Sequence, residues 1–246
     1  MNRLIRAELH KLRTTRSTWW LLLAQIGLVA LLVTGAVLSS AITEVALETP
    51  EGLRTALSHG GVPALLALIV GITAIAGEYR QGTIAGTFLV TPKRSRVVAA
   101  KLVAFGSVGL VSGLLSAGMT LAATAAWMAA RDVAFEPTSR VVILALVGIV
   151  LWNVLYALMG VALGGLLRAV PTAIGISVVW LMLVENAVVA LAPDVARWLP
   201  ATAAAGLVGS PAPDLLSRTA GGLALAAWTL ALVVLAARVT DRRDVA

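Results

Sequence analysis

Six long apolar segments limit what this chain can fold into. Each segment has at least 18 residues, and Glu185 is the single charged residue in all six. The segments cover residues 19–39, 60–77, 102–130, 141–167, 169–192 and 219–237. A bilayer hydrocarbon core of about 30 Å needs about 20 helical residues. The sequence therefore predicts an all-α integral membrane protein, with six transmembrane helices in a single transmembrane domain over residues 1–246.

Composition supports this class and excludes several kinds of site. Charged residues make up 13% of the chain and the mean hydropathy is +0.95, whereas soluble domains carry about 25% charged residues. The chain has no cysteine and two histidines, which excludes disulfides and thiolate metal sites and leaves little for a histidine metal centre. We expect no catalytic, metal or cofactor-binding residues in this chain.

The distribution of cations predicts the orientation. Fourteen of the nineteen Lys and Arg residues fall on one side of the predicted spans if the N-terminus lies inside. This positive-inside bias predicts a multi-pass protein of the cell membrane with both termini cytoplasmic. The net charge of +7 then reflects the membrane surface and topology, and no nucleic-acid partner is expected.

The first 18 residues have two interpretations. Ile5, Leu9 and Leu12 share one helical face, which is typical of an interfacial helix on the inner leaflet. The alternative is a signal peptide, but the following apolar run exceeds the roughly 7–15 residues of a signal-peptide core. We favour an uncleaved interfacial helix over residues 1–18.

A basic segment follows the second apolar segment. Arg80, Lys93, Arg94, Arg96 and Lys101 surround an uncharged stretch at 82–90, which ends at Thr91-Pro92. Within this stretch Ile84 and Phe88 are four residues apart, on one helical face. A short helix held at the membrane surface by cations suits a soluble cytoplasmic partner, so we predict a cytoplasmic segment at 78–100.

Two features on the predicted outer side have open interpretations. Residues 193–218 form a long outer loop, in which the small apolar stretch 201–208 either re-enters the membrane or covers its outer face. Glu185, next to Asn186, is the single acid within a predicted span. Glu185 and Asn186 either line a substrate path, or Glu185 has a structural partner or lies near the outer interface.

Motifs of nucleotide and hydrolytic enzymes are absent from the sequence. It contains no G-x-x-x-x-G-K-[ST] phosphate loop, no G-x-S-x-G elbow and no H-E-x-x-H zinc motif. If ATP powers this protein, another chain must bind it.

The segments AELHKLRTTRSTWWLLL at 7–23 and GEYRQGTIAGTFLVTPKRSRVVAAK at 77–101 resemble the permease subunits of the type-2 ABC exporter family. The resemblance implies two permease chains, as a homodimer or a related heterodimer, working with two ABC ATPase subunits that hold ATP and Mg²⁺. It implies that the segment after the second span includes a coupling helix that contacts the ATPase. The residues expected at this contact are Glu78, Tyr79, Arg80, Gly82, Thr83, Ile84 and Phe88. The expected cargo is a hydrophobic or amphipathic drug, peptide or lipid.

Three other functions remain as alternatives. An ion-coupled carrier would depend on Glu185 and transport without an ATPase. An antibiotic-sensing or immunity subunit would bind its ligand without exporting it. An intramembrane hydrolase is disfavoured because no nucleophile and base are evident.

Single cysteines introduced into this cysteine-free chain test the orientation. Because the cation distribution places both termini inside, we expect cysteine at Glu48 or Asp132 to react with an impermeant thiol reagent in intact cells, and cysteine at Ser95 to remain unreactive. Labelling of Ser95→Cys from outside, in cells that exclude the reagent, would overturn the orientation.

Overall fold

The protein is described by a computed structural model covering residues 2–43, 49–90 and 94–242. Every regular element in these ranges is helical. The α-helices are α1 Asn2–Thr14, α2 Arg16–Thr43, α3 Pro50–His59, α4 Ala64–Arg80, α5 Thr83–Val90, α6 Arg94–Ala130, α7 Arg140–Leu167, α8 Val170–Val179, α9 Glu185–Leu191, α10 Pro193–Ala196, α11 Pro200–Val208 and α12 Arg218–Arg242. A π-helical turn, Trp180–Val184, joins α8 to α9. The predicted all-α fold is confirmed for the described residues.

Six helical segments are long and apolar enough to span a membrane. They cover Arg16–Ser39, Pro50–Arg80, Arg96–Ala130, Arg140–Leu167, Val170–Leu191 and Arg218–Thr240. Each overlaps one of the six apolar segments read from the sequence, and we number the spans one to six in this order. By length and apolar composition, the prediction of six membrane-spanning helices is confirmed.

The second span differs from its sequence prediction. Residues 42–59 are expected to form an outer loop, but residues 50–59 form α3; residues 44–48 lie outside the described residues. The hydroxyl of Thr49 accepts a hydrogen bond from the N–H of Gly52 at 3.1 Å, and Pro50 occupies the first turn. This is a standard helix N-terminus. It begins the helix ahead of the apolar run, and Leu57 is buried against α7.

The boundary between the fourth and fifth spans lies where the sequence predicts it. Arg168 ends α7 in the left-handed conformation, with φ of 55°. Ala169 is extended and Pro171 lies in the first turn of α8, because proline fits a helix start. The third helix begins eight residues before the apolar segment at 102–130, and α6 has 37 residues and is about 55 Å long.

Helix α7 lies at the centre of the bundle and contacts α4, α6, α11 and α12. Its contact with α4 is backbone to backbone. A Cβ atom added at Gly160 would lie 2.0 Å from the carbonyl oxygen of Leu68, and one at Gly164 would lie 2.5 Å from that of Ile72. The Gly160-x-x-x-Gly164 spacing therefore allows close packing within this chain.

Helix α11 packs between α7 and α12 near the start of both. A Cβ atom at Gly148 would lie 2.9 Å from the carbonyl oxygen of Leu207, and one at Gly221 would lie 2.5 Å from that of Ala203. Gly148 is eight residues into α7, about 12 Å along its axis. The re-entrant interpretation of residues 201–208 stays a prediction.

Substitution of glycine by alanine tests the contact between α4 and α7. We expect Gly160→Ala to lower the melting temperature in detergent, because the methyl group overlaps the backbone of α4 at a cost of about 1–3 kcal/mol. Gly118→Ala on α6 is the matched control, since nothing lies within 4 Å of its Cβ position. Equal melting temperatures for the two variants would contradict this packing.

Candidate functional site: a buried ring of charges beside a short exposed helix

Four charged side chains from three helices meet at one end of the bundle. Glu8 and Lys11 come from α1, Glu78 from the last turn of α4, and Lys101 from the second turn of α6. We call these four residues the charge ring, and the end of the bundle that contains it the proximal end. Carboxylates and ammonium groups alternate around the ring, so its formal charges cancel.

The contacts of the ring are short. Lys101 Nζ lies 2.7 Å from Glu8 Oε2 and 2.8 Å from Glu78 Oε1. Lys11 Nζ lies 3.0 Å from Glu8 Oε1 and 2.8 Å from Glu78 Oε1. Each cation therefore binds both acids, and Glu78 Oε1 accepts from both cations. Such charge-assisted hydrogen bonds are about twice as strong as neutral ones.

Lys101 is the most deeply buried member, with 1% of its side chain exposed. An ammonium group has three N–H donors and no acceptor. The third donor of Lys101 binds the carbonyl oxygen of Ala74 at 3.1 Å, so all three are satisfied. A lysine buried without partners would lose its charge, and here three acceptors from α1 and α4 surround it.

Lys11 is half-exposed, with 50% of its side chain accessible. Partial burial acts against its charge, but the hydrogen bonds and charges of Glu78 and Glu8 outweigh that effect and raise the pKa of Lys11. Lys11 is therefore the solvent-facing member of the ring.

Apolar contacts hold α1 beside the ring. Leu9 and Leu12 pack against Ala74 and Ile75 of α4 and Phe105 of α6. The apolar face of α1 points into the protein, because Leu12 is buried while Arg6 and Arg13 are exposed. Helix α1 is thus packed against two spans through one face. The predicted position of this helix on the inner leaflet stays a prediction.

Helix α5 joins the two spans that contribute Glu78 and Lys101. Gly82, with φ of +68°, makes the turn between α4 and α5 because glycine adopts this conformation without a Cβ penalty. Ile84 is 4% exposed and Leu89 is 83% exposed. Among the described side chains of α5, Ile84 therefore faces inward and the apolar Leu89 faces out.

The seven residues expected at the ATPase contact separate by burial. Arg80, Gly82 and Thr83 are exposed, whereas Glu78 and Ile84 are buried. Tyr79 is half-buried, and its ring lies 4.8 Å from the guanidinium carbon of Arg168, a cation–π contact. The side chain of Phe88, with Thr91, Pro92 and Lys93, lies outside the described residues.

The side chains of Glu185 and Asn186 lie in different surroundings. Glu185 is 1% exposed, and its Oε2 accepts a hydrogen bond from the backbone N–H of Ala201 at 2.8 Å. This N–H belongs to the first turn of α11, so the carboxylate serves as a cap from another helix. Asn186 is exposed and donates to the carbonyl oxygen of Met182, so the structure does not bring the two side chains together.

A second buried polar cluster links the first, third and fourth spans. Gln25 Nε2 donates to Ser116 Oγ and to Asn153 Oδ1, both at 2.7 Å. Ser112 Oγ donates to Gln25 Oε1 at 2.8 Å. Asn153 Nδ2 donates to the carbonyl oxygen of Ile149. All four residues are at most 2% exposed, so their polar atoms bind one another inside the bundle.

Sequence reasoning missed Glu8, Lys101 as a buried residue, and the cluster around Gln25. A signal exists for Glu8, because it lies four residues before Leu12 and therefore on the apolar face of α1. A signal also exists for the pair of Glu78 and Lys101, since an acid ends the second span and a base begins the third. Neither signal shows which residue each charge binds in the folded protein.

Comparisons with known proteins do not assign this site. No family model matches the chain, and no curated protein matches it. Among the described residues, no group of three or more His, Cys, Asp or Glu side chains is placed to hold a metal ion. The resemblance to exporter permeases stays a prediction from the sequence.

Lysine substitutions test the charge ring. We expect Lys101→Met to lower the free energy of unfolding in detergent by about 3–5 kcal/mol, because it leaves two acids buried with one half-exposed cation. Lys11→Met is the matched control, and a loss below about 1 kcal/mol is expected because water reaches that position. Similar losses for the two variants would contradict the central role of Lys101.

Substitution of Glu185 tests its role as a cap. Glu185→Gln keeps an oxygen acceptor for Ala201 and is expected to retain normal thermal stability. Glu185→Ala removes the acceptor and should cost about 1 kcal/mol or more. Asn186→Ala, at the adjacent exposed position, is the control. The capping role is wrong if the alanine variant of Glu185 is as stable as that of Asn186.

Proposed function

We propose that this chain is the transmembrane subunit of an ATP-driven ABC exporter in the cell membrane. A separate ATPase subunit supplies ATP hydrolysis with its own Mg²⁺, and a second permease chain completes the pathway. The cargo is hydrophobic or amphipathic, and both termini face the cytoplasm. Supporting observations are the resemblance of residues 7–23 and 77–101 and the arrangement of the proximal end.

One observation carries the proposal. Helix α5 is attached to α4 and α6, and these two spans are joined to each other through Glu78 and Lys101 at 2.8 Å. A force applied to α5 therefore acts on both spans together rather than bending one of them. This is the property that a coupling helix requires, because packed elements move as rigid bodies between discrete arrangements.

The exposed side of α5 is a suitable contact surface for the ATPase. Leu89 projects from it with 83% exposure, and Gly86 is exposed with nothing within 4 Å of its Cβ position. Exposed Arg80 adds a cation at the adjoining helix end. In this assignment Arg80, Gly82, Thr83 and Leu89 meet the ATPase, while Tyr79, Glu78 and Ile84 hold α5 to the spans.

Helix α1 adds a third element to the same unit. Glu8 binds Lys101, and Leu12 packs on α4 and α6. With its basic exposed face toward the lipid headgroups, α1 serves as the interfacial helix of the proposed subunit. Motion of the ATPase would then reach α1, α4 and α6 as one body.

Purification from native membranes tests the partnership. We expect the tagged chain, extracted in mild detergent, to co-purify with an ATPase chain that contains a phosphate loop. The chain stripped of that partner should neither bind nor hydrolyse ATP. ATP hydrolysis by the stripped chain, after contaminants are excluded, would defeat the proposal.

Leucine substitutions test the contact surface. We expect Leu89→Ser to reduce the amount of co-purified ATPase and its associated ATP hydrolysis, because the partner loses an apolar contact. Leu191→Ser is the matched control: Leu191 is 86% exposed at the far end of the fifth span. Equal recovery of the ATPase with both variants would show that α5 is not the docking element.

A further inference from the structure

A cavity of about 240 Å³ lies between the second, fourth, fifth and sixth spans and α11. Its floor is buried and includes Leu68, Met159 and Leu181, each at most 5% exposed. Its rim includes Ile176, Trp180 and Trp228, which are 37–50% exposed. A buried floor and an exposed rim mean that the cavity opens on the outer surface of the spans, where hydrocarbon chains surround a membrane protein.

Two polar side chains on the cavity wall donate hydrogen bonds within the protein. Ser177 Oγ donates to the carbonyl oxygen of Ala173 at 2.7 Å. Trp228 Nε1 donates to the carbonyl oxygen of Trp198 at 2.8 Å. The remaining lining residues are mostly apolar, among them Leu68, Met159 and Leu232. A polar ligand group would lose its hydrogen bonds here, so the wall selects an uncharged hydrocarbon.

The size of the cavity limits the occupant further. An apolar protein cavity of about 150 Å³ stays free of water and holds a single benzene molecule. The present volume of about 240 Å³ is less than twice that, which is room for one chain segment and not for two side by side.

The wall formed by the fifth span has irregular backbone. The π-helical turn Trp180–Val184 begins at the cavity rim and includes Leu181 of the floor. Such turns break the regular hydrogen-bond ladder and occur often at functional sites.

We propose that this cavity binds one acyl chain of a membrane amphiphile, which enters sideways past Ile176, Trp180 and Trp228. Binding at this site does not depend on an ATPase. If the proposed export function is correct, the cavity is the apolar subsite for the tail of the cargo, and that extension rests on the proposed function.

Photo-crosslinking in lipid nanodiscs tests the site. The probe is a fatty acid with a diazirine near the end of its chain, and a phosphatidylcholine carrying the same chain is the second probe. We expect adducts on Met159, Leu163 or Leu181 to exceed those on lipid-exposed Leu31 by about tenfold, equivalent to about 1.4 kcal/mol. Labelling by the fatty acid alone identifies a single-tailed ligand, and labelling by both probes identifies the chain itself as the recognised group.

A filling variant supplies the control. Ser177→Leu places a larger side chain on the wall and should remove most of the enrichment. Ser107→Leu is its match, because Ser107 also donates to the carbonyl oxygen four residues earlier but lies exposed on α6; it should leave the enrichment intact. The crosslinking of the two variants is compared only when their melting temperatures are equal. If Ser177→Leu unfolds, Leu163→Trp replaces it as a second filling variant. Adducts spread evenly over the exposed helix faces, or unchanged by both filling variants, would overturn the proposal, whatever the outcome of the ATPase experiments.

Discussion

Burial of the Lys101 ammonium is the constraint on which the proximal end depends. A cation with 1% exposure persists only where acceptors replace all of its water. Glu8, Glu78 and the Ala74 carbonyl supply three acceptors, and they come from two different helices. The position of α1 on the bundle and the pairing of α4 with α6 are therefore parts of one arrangement. Helix α5 is attached to both spans, so the same arrangement determines where α5 lies.

Other buried polar side chains also connect helices inside the protein. Gln25 and Asn153 bind each other between the first and fourth spans, and Glu185 binds the first turn of α11. Each contact connects elements that are distant in sequence, so these groups determine which helices are neighbours. The cavity beside Trp180 is lined mainly by apolar side chains, and Ser177 and Trp228 on its wall donate hydrogen bonds within the protein.

The spans differ in how tightly they pack, and the difference follows from residue size. Glycines on α7 bring its backbone against α4 and α11, giving a close-packed centre in which added atoms are costly. The fifth span carries bulky residues such as Trp180 and Leu183 on an exposed face, and a cavity lies between it and the centre of the bundle. A close-packed centre therefore lies next to a cavity with an exposed rim.

Sequence alone determined the all-α class, the number of apolar helical segments and the break at Arg168 and Pro171, because these depend on local hydropathy, helix period and proline geometry. It also located a short helix at 82–90, although its role remains a prediction. The tertiary structure decided the partners: Glu8 with Lys101 across 93 residues, Glu78 with Lys101 across 23, and Glu185 with Ala201 across 16. Local pattern cannot specify them, since a charge on a helix face has many possible partners and only the packing of spans brings one within 3 Å.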